Sequence, residues 1–385
     1  MPLNPATIPL SLYVHLPWCV RKCPYCDFNS HALQQPELPE SAYIDALIKD
    51  LECDAPLVAD RPITSIFFGG GTPSLFSGAA IDRILQAVRT QLCCASDMEI
   101  TLEANPGTVE HDRFERYREA GVNRLSIGIQ SFNAGQLKTL GRIHNTDEAI
   151  KAAKTAKQAG FENFNLDLMF GLPQQSIDDA LTDLQQAIAL EPTHISWYQL
   201  TLEPNTVFYN KPPVLPDDDI LWQMQIAGQQ LLASHHYRQY EISAYSQPDR
   251  LCRHNVNYWQ FGDYLGIGAG AHGKLTLMDG SIIRTAKTRQ PKDYLARSTS
   301  FLSEKRVVSN TELPFEFMLN ALRLKQPISC AMFEQLTGLS ITVIQPALQH
   351  AKAKGLLMVD DTYISVTELG NRFIDDIVQL FLPTP

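Results

Sequence analysis

The 385-residue sequence predicts an α/β protein: a partial (β/α)6 TIM-like barrel followed by a small, mainly helical, winged-helix-like domain. Two observations predict this fold. Apolar, β-branched runs alternate with helical patterns six times before residue 235. The residues with the most distinctive chemistry follow the ends of those runs, which is where barrel enzymes build their sites.

Each predicted strand is an apolar run rich in β-branched or aromatic residues. The six strands lie at residues 10–16, 63–68, 98–104, 123–129, 162–169 and 194–200. The helices that follow them, several beginning after a Ser, Thr or Asp cap, lie at residues 40–53, 78–92, 110–120, 146–159, 176–190 and 217–234. A doubly wound sheet would show the same alternation with a reversal of strand order. The position of the polar motifs at strand ends favours the barrel.

The pattern changes after the barrel unit at residues 1–235. Residues 236–310 carry short strands and glycine turns, including the hairpin signal Met278-Asp279-Gly280-Ser281, and are predicted to extend the barrel. Residues 311–385 form the predicted C-terminal domain, with helices at 314–324, 331–337 and 341–354, an apolar run at 356–359, a turn at Asp360-Asp361, and then a strand and a last helix. Winged helices often bind DNA, but residues 326–385 contain three Lys or Arg and six acidic residues. We therefore expect a lid or docking surface.

Composition excludes several classes of function. A net charge of −10 argues against sequence-independent binding to nucleic acid, which depends on clustered Lys and Arg. The first residues contain no signal peptide, and no apolar run is long enough to span a membrane. We therefore expect a cytoplasmic protein without a transmembrane segment. In a reducing compartment, its eight cysteines are expected to bind metal or to be buried rather than to form disulfides.

Three cysteines have the spacing of metal ligands. Cys19, Cys23 and Cys26 form a C-x3-C-x2-C motif directly after the first predicted strand. Three thiolates on one loop can bind three irons of a [4Fe–4S] cubane and leave the fourth iron open. The alternatives are a structural zinc site and mere burial of the three cysteines. A zinc site needs a fourth ligand, for which His15 and His31 are the nearby candidates. The cysteines without partners at ligand spacing are predicted to be dispensable: Cys53, Cys93, Cys94 and Cys330.

The cysteine motif contains Tyr25 and follows the segment YVHLPW at residues 13–18. Together these features resemble the radical S-adenosylmethionine (SAM) superfamily, in particular its coproporphyrinogen dehydrogenase-like branch. The segment GGGTP at residues 69–73 resembles the superfamily loop that contacts SAM, and the match extends along nearly the whole chain. The resemblance implies one [4Fe–4S] cluster on Cys19, Cys23 and Cys26, SAM on the open iron, and an electron donor as a partner.

The same resemblance implies a set of SAM-binding residues at strand ends. Those that match positions of a first SAM are Tyr13, Gly70 and Glu103. Those that match positions of a second SAM are Tyr25, Gly71, Thr72, Gln130, Arg142 and Asp167. Taken singly, each of these residues is more often a capping or solvated polar group. Their shared location after strands favours the binding role.

Two functions compete within this branch: oxygen-independent dehydrogenation of coproporphyrinogen III, and heme binding and delivery by a chaperone. The dehydrogenase motif has a further cysteine where this chain has Phe28, and this chain has 12 residues before Tyr13, which is shorter than the extension expected of the dehydrogenase. Both departures favour the chaperone.

The segment HNxxYW at residues 254–259 resembles a motif of the heme chaperones in this branch. A neutral imidazole is a good axial ligand for heme iron, and aromatic neighbours can cover a porphyrin face. His254 is therefore the predicted heme ligand, and Cys252 is a second candidate. The alternative is that His254 and Asn255 are capping or network residues of the barrel extension, with Tyr258 and Trp259 in the core.

The sequence thus predicts a radical SAM-type heme chaperone that carries one [4Fe–4S] cluster and SAM, binds heme, and delivers it to heme-accepting proteins such as respiratory hemoproteins. The alternative is an oxygen-independent coproporphyrinogen III dehydrogenase or another radical SAM enzyme of porphyrin metabolism. A third hypothesis is a cluster-bearing regulator that acts through the C-terminal domain.

Overall fold

The computed structural model describes residues 3–34, 37–108 and 111–383. Its first eight strands are β1 (Leu10–Leu16), β2 (Trp18–Cys19), β3 (His31–Ala32), β4 (Ile63–Gly70), β5 (Cys94–Ala104), β6 (Arg124–Gln130), β7 (Phe164–Phe170) and β8 (His194–Gln199). β2 and β3 pair with each other, whereas the other six form a parallel sheet in the order β1-β4-β5-β6-β7-β8. Because the strand order never reverses, the barrel prediction is confirmed and the doubly wound alternative is wrong.

Helices separate the parallel strands. They are α1 (Glu40–Asp54), α2 (Gly78–Gln91), α3 (His111–Ala120), α4 (Ala134–Thr139), α5 (Thr146–Gln158), α6 (Ile177–Ala189), α7 (Val207–Asn210) and α8 (Asp218–Ser234). Ser77 caps α2, and Asn145 and Ser176 form capping boxes at α5 and α6. The predicted start of α3 at Glu110 lies outside the described residues. The short helices α4 and α7 were not predicted, because each spans at most two turns and shows too little periodicity.

The barrel strands are two-faced. On β6, the side chains of Leu125, Ile127 and Ile129 are fully buried and belong to the main apolar core. The alternate residues Arg124 and Ser126 instead line an internal cavity. A strand directs successive side chains to opposite faces, so the helices cover the apolar face and the polar face lines the interior.

Residues 236–310 extend the same sheet at both edges. Their elements are β9 (Arg238–Gln239), β10 (Ala244–Ser246), α9 (Arg253–Trp259), β11 (Asp263–Ile267), β12 (His272–Thr276), β13 (Ile282–Lys287), α10 (Pro291–Leu295) and β14 (Leu302–Val307). β10 pairs with β8, and β11 pairs parallel to β1, which gives a 12-stranded sheet. The predicted hairpin turn joins β12 to β13, with Gly280 at a φ of 84° that favours glycine.

A buried ion cluster ties this extension to α1. The Lys287 ammonium on β13 donates to Asp50 and, over 2.6 Å, to Asp54. The Tyr294 hydroxyl donates to Asp50 over 2.7 Å. Lys287 and Asp50 are almost completely buried, so each charge depends on the other for its solvation.

The C-terminal domain has its own core. Its elements are α11 (Leu313–Ala321), β15 (Ile328–Ser329), α12 (Cys330–Thr337), α13 (Gln345–Ala353), β16 (Leu357–Val359), β17 (Tyr363–Val366) and α14 (Ile374–Gln379). The three strands form an antiparallel sheet in the order β15-β17-β16, which agrees with the winged-helix-like prediction. Phe261 and Ile282 of the extension belong to this second core and join the domain to the barrel. None of the described helices combines the length and apolar character that a membrane span requires.

We expect Lys287→Met to lower the free energy of unfolding by about 3 to 5 kcal/mol, because it leaves two carboxylates buried without their cation. Lys157→Met is the control, since Lys157 pairs with Glu191 at the surface and should have little effect on stability. Chemical denaturation measures both variants. Equal stability of the two variants would contradict the role given to the buried cluster.

Candidate functional site

The loop that carries the three cysteines lies at the carboxyl end of β1. Cys19 ends β2 and is buried, while Cys23 and Cys26 are half-buried, and all three are free thiols. Backbone hydrogen bonds fix the loop to the barrel: the N–H of Thr72 donates to Trp18, and that of Leu33 donates to Cys19. The three thiols therefore face one pocket of about 260 Å³ from a loop whose base is held by the sheet.

The surroundings of the thiols include groups that favour thiolates. Burial raises the pKa of the Cys19 thiol, and a hydrogen bond from Thr72 opposes that shift. Burial also raises the pKa of Cys26, against hydrogen bonds from Ser30 and the backbone. The guanidinium of Arg142 donates to Cys23 Sγ over 3.6 Å. Metal ligation requires deprotonated thiols, and these donors stabilise that form.

The donor set fits a cubane better than a zinc ion. Within residues 3–34, 37–108 and 111–383, no three His, Cys, Asp or Glu side chains are close enough together to hold one metal ion. A cubane instead binds each thiolate to a separate iron. Both nearby histidines are engaged elsewhere: His15 Nδ1 and Nε2 pair with Tyr13 and the Asn29 carbonyl, and His31 Nε2 pairs with Asn29 Oδ1. Neither is placed as a fourth zinc ligand.

The structure brings the predicted SAM residues together around the cysteines. The residues that line the cluster pocket are Tyr25, Gly70, Gly71, Thr72, Glu103, Gln130, Arg142 and Asp167. Tyr13 lines the larger cavity next to this pocket, which Gly70, Glu103 and Asp167 also border. Gly70, Glu103 and Gln130 lie at or next to the ends of β4, β5 and β6, as expected, whereas Tyr13 and Asp167 lie in the middle of β1 and β7. Their individual roles in SAM binding stay predictions.

The glycines of the GGGTP loop are required by packing. Gly70 has a φ of 115°, and a Cβ there would lie 2.5 Å from the His15 ring. A Cβ on Gly71 would lie 2.6 Å from the Trp18 carbonyl oxygen. A side chain at either position would therefore disturb the base of the cysteine loop, whether or not a ligand is bound.

Glu103 and Asp167 make the interior of the barrel acidic. Removal from water, followed by the charge of Asp167, raises the pKa of Glu103 to about 8, and a hydrogen bond from the Gly70 backbone opposes the shift. Burial likewise raises the pKa of Asp167, although Ser126 and Asn165 donate to its two oxygens. Glu103 is therefore a proton-holding carboxyl at neutral pH that can ionise when a hydrogen-bond donor approaches.

Gln130 is held in an unusual conformation at the end of β6. Its φ of 70° lies in the left-handed region, and the Tyr198 hydroxyl donates to its side-chain oxygen over 2.7 Å. A non-glycine residue in this region costs energy that surrounding contacts must offset. In this backbone conformation, the side-chain amide of Gln130 lines the cluster pocket together with Arg142.

Sequence reasoning missed the polar side chains deeper in the barrel. Ser126, Asn165, Ser196 and His194 form one hydrogen-bonded network, in which Asn165 Oδ1 accepts from Ser196 and contacts His194 Nδ1 at 2.7 Å. The available signal was a pair of polar residues two positions apart in the first half of each strand: Arg124 and Ser126 in β6, Asn165 and Asp167 in β7, and His194 and Ser196 in β8.

A larger cavity of about 1020 Å³ extends from the cysteine loop through the barrel to α9. Phe28 lines both this cavity and the cluster pocket, and 63% of its surface is exposed. Asn255, Tyr258 and Trp259 of the HNxxYW segment line the opposite end. The cavity therefore connects the two sequence motifs that were considered separately.

His254 does not line this cavity. Its side chain is 1% exposed, and its ring nitrogens pair with Ser65 Oγ at 3.1 Å and with the Tyr258 hydroxyl at 2.8 Å. Burial, assisted by the charge of Arg124, lowers the pKa of His254 to about 3. Cys252 is fully buried, and burial raises the pKa of its thiol to about 12. In this conformation the contacts match the capping and network alternative for His254.

We expect the triple variant of Cys19, Cys23 and Cys26 to Ala to lose the cubane absorbance and EPR signals after anaerobic reconstitution while staying folded, because no other thiols face the pocket. The matched control replaces four cysteines outside the pocket: Cys53, Cys93, Cys94 and Cys330. That control should keep the full cluster signal. A cluster retained in the first variant, or lost in the control, would refute the ligand assignment.

Glu103→Gln tests the raised carboxyl pKa. The wild-type protein should lose stability relative to this variant as pH rises from about 4.5 through about 8, because the unfolded carboxyl ionises first. Above that range, the variant should bind SAM about tenfold or more weakly, since it lacks a charged acceptor. Thermal unfolding and isothermal titration against pH measure these effects. Parallel stability curves and equal SAM affinities would contradict this role of Glu103.

Comparison with known proteins identifies the two parts of the chain. Residues 13–187 match the radical SAM superfamily, and residues 308–373 match the HemN C-terminal domain. The structure resembles that of coproporphyrinogen III oxidase (HemN) from Escherichia coli with a TM-score of 0.82, at 24% identity over 98% of this chain and 90% of that chain. At that identity, the likeness supports the fold alone.

Curated relatives align over almost their whole length. The heme chaperone HemW of Escherichia coli is 54% identical over 97% of this chain and 98% of its own. The HemW proteins of Haemophilus influenzae and Bacillus subtilis are 50% and 31% identical, each over 99% of its own length and over 98% and 97% of this chain. The chain therefore belongs to the HemW heme chaperone family within the radical SAM superfamily.

Proposed function

We propose that this protein binds heme in the barrel cavity and delivers it to acceptor hemoproteins, with a [4Fe–4S] cluster and SAM at the barrel mouth. The observation that carries this proposal is the cavity of about 1020 Å³ that joins Phe28 on the cysteine loop to Tyr258 and Trp259 on α9. Ligand pockets commonly enclose roughly 300 to 1,000 Å³, so this cavity is large enough for a large planar ligand.

The lining of the cavity suits an amphipathic porphyrin. Phe28, Phe67, Tyr258 and Trp259 provide aromatic surface for the macrocycle, and cationic side chains also border the space. An exposed aromatic ring at position 28 lies where the dehydrogenase pattern has a cysteine. A ring there can cover a porphyrin face, whereas a thiol would offer a reactive group instead.

The cluster site supports the remaining part of the proposal. When bound to Cys19, Cys23 and Cys26, a cubane would supply an open iron for SAM and an electron for cleavage of the sulfonium bond. An electron donor is then required as a partner. We place this chemistry in the reducing cytoplasm, with hemoproteins such as respiratory ones as the acceptors.

We propose His272, rather than His254, as the axial ligand of the heme iron. His272 at the start of β12 lines the cavity, is exposed, and forms none of the side-chain hydrogen bonds found among the described residues. Partial removal of the ring from water, followed by the charge of Arg284, lowers the pKa of His272, which favours the neutral imidazole that heme iron binds. His254 would first have to lose its contact with Tyr258.

We expect the reconstituted protein to bind ferric heme with a Soret band and to produce no protoporphyrinogen from coproporphyrinogen III, even when reduced and supplied with SAM. Phe28→Cys should not create that activity, because one thiol leaves the rest of the cavity lining unchanged. Absorbance titration and product analysis measure the two activities. Decarboxylation by the wild-type protein would favour the dehydrogenase alternative.

Substitution of His272 and of His254 by Ala tests which histidine binds the heme iron. We expect His272→Ala to shift the Soret band or to weaken heme binding about tenfold or more, and His254→Ala to keep the heme spectrum while it lowers stability by loss of the Ser65 and Tyr258 contacts. The cluster spectrum should be intact in both variants. The opposite pattern, with the shift in His254→Ala, would restore His254 as the ligand.

A further inference from the structure

Arg124 lies deep inside the barrel. It is the first residue of β6, and its side chain is 2% exposed and lines the large cavity. Gln130 at the mouth is the last residue of the same strand. At roughly 3.3 Å per residue, the two positions are about 20 Å apart along β6. The guanidinium is thus at the end of the barrel opposite the cysteine loop.

The guanidinium of Arg124 lies among polar groups but is not paired with a carboxylate in the described part of the chain. Its Nε is buried without a hydrogen bond, and no carboxylate in the described part of the chain forms an ion pair with it. Burial lowers the pKa of Arg124, but the charges of Cys252, Glu99, Tyr240 and Asp167 outweigh that effect and raise the pKa, so the guanidinium is charged. Asp167 accepts from Ser126 and Asn165, and Glu99 Oε1 accepts from the backbone N–H of His254, so neither acid pairs directly with the guanidinium. A buried cation without a direct partner can accept a carboxylate from a ligand.

We propose that Arg124 is the anion-binding residue of the cavity and that it receives a propionate carboxylate of heme. This inference rests on the proposed function and specifies how the ligand is oriented. In this arrangement the porphyrin ring lies between Phe28 and α9, and its propionates point toward the end of the barrel opposite the cysteine loop. A guanidinium matches a carboxylate because its planar N–H groups can donate two parallel hydrogen bonds.

The position of Arg124 separates this carboxylate from that of SAM. The open iron of a cluster on the three cysteines would hold the SAM amino acid group at the barrel mouth. Arg142, rather than Arg124, is the arginine in contact with the cysteine loop. A change at Arg124 should therefore weaken heme binding more than binding of SAM to the open iron of the cluster.

The test compares ferric heme with its dimethyl ester, in which both propionates are uncharged. The full-length reconstituted protein should bind heme about tenfold or more tightly than the diester, since a charge-assisted pair is worth at least that factor. Arg124→Gln should lose this preference by weakening heme alone, and Arg124→Lys should keep part of it. SAM titration and the cluster spectrum verify that each variant is folded.

Arg289→Gln is the control, because Arg289 lines the same cavity but is exposed at its rim. It should keep the preference for heme. Equal binding of heme and diester by the wild-type protein would overturn the inference without the need for any variant. A preference retained in Arg124→Gln, or lost in Arg289→Gln, would also overturn it while leaving heme binding intact. Failure of the wild-type protein to bind either porphyrin would reject the proposed function itself.

Discussion

The structure depends on the opposite polarity of the two faces of its barrel strands. On β5, Ile100 and Leu102 pack toward the helices, while Glu99 and Glu103 alternate with them on the other face. Apolar burial against the helices stabilises the barrel, so the interior need not be filled with apolar side chains. Ordinary barrels pack this space. Here it is a cavity lined by both charged and aromatic side chains, and the shifted carboxyl pKa values and the buried arginine follow from that difference.

The two cavities share side chains, which links the cluster to the larger space. Phe28, Gly70, Glu103, Ser126 and Asp167 border both of them. A ligand in the large cavity would therefore be separated from the cysteine loop by single side chains. The extension provides the remaining walls through β11, β12 and β13, and the buried Lys287 cluster holds these strands against α1. The C-terminal domain contributes to the same wall, because Leu319 and Asn320 of α11 also line the cavity.

Local patterns predicted the alternating strands and helices, and the position of the polar motifs favoured the barrel, because carboxyl ends of parallel strands meet at one end of a barrel. The residues assigned to SAM came from the resemblance to the radical SAM superfamily, and they lie around the cysteines in the structure. Local patterns could not show which polar side chains form hydrogen bonds with one another across the barrel interior. The HNxxYW segment gave a histidine with suitable chemistry, but its contacts with Ser65 and Tyr258 depend on residues distant in sequence. His272 belongs to no recognised sequence motif, and it becomes a candidate ligand only because the structure shows that it lines the cavity. In the sequence, Arg124 is one residue near the start of a predicted strand. That its Nε is buried without a hydrogen bond follows from the closure of the barrel, which local sequence does not show.

A crystal structure of the anaerobically reconstituted protein with ferric heme tests the central claim most directly. We expect porphyrin density inside the barrel, between Phe28 and Trp259, with iron facing His272 and one propionate on Arg124. The cluster and SAM should occupy the adjoining pocket in the same crystals. Heme bound on the outer surface, or a second SAM molecule filling the cavity instead of porphyrin, would contradict the account.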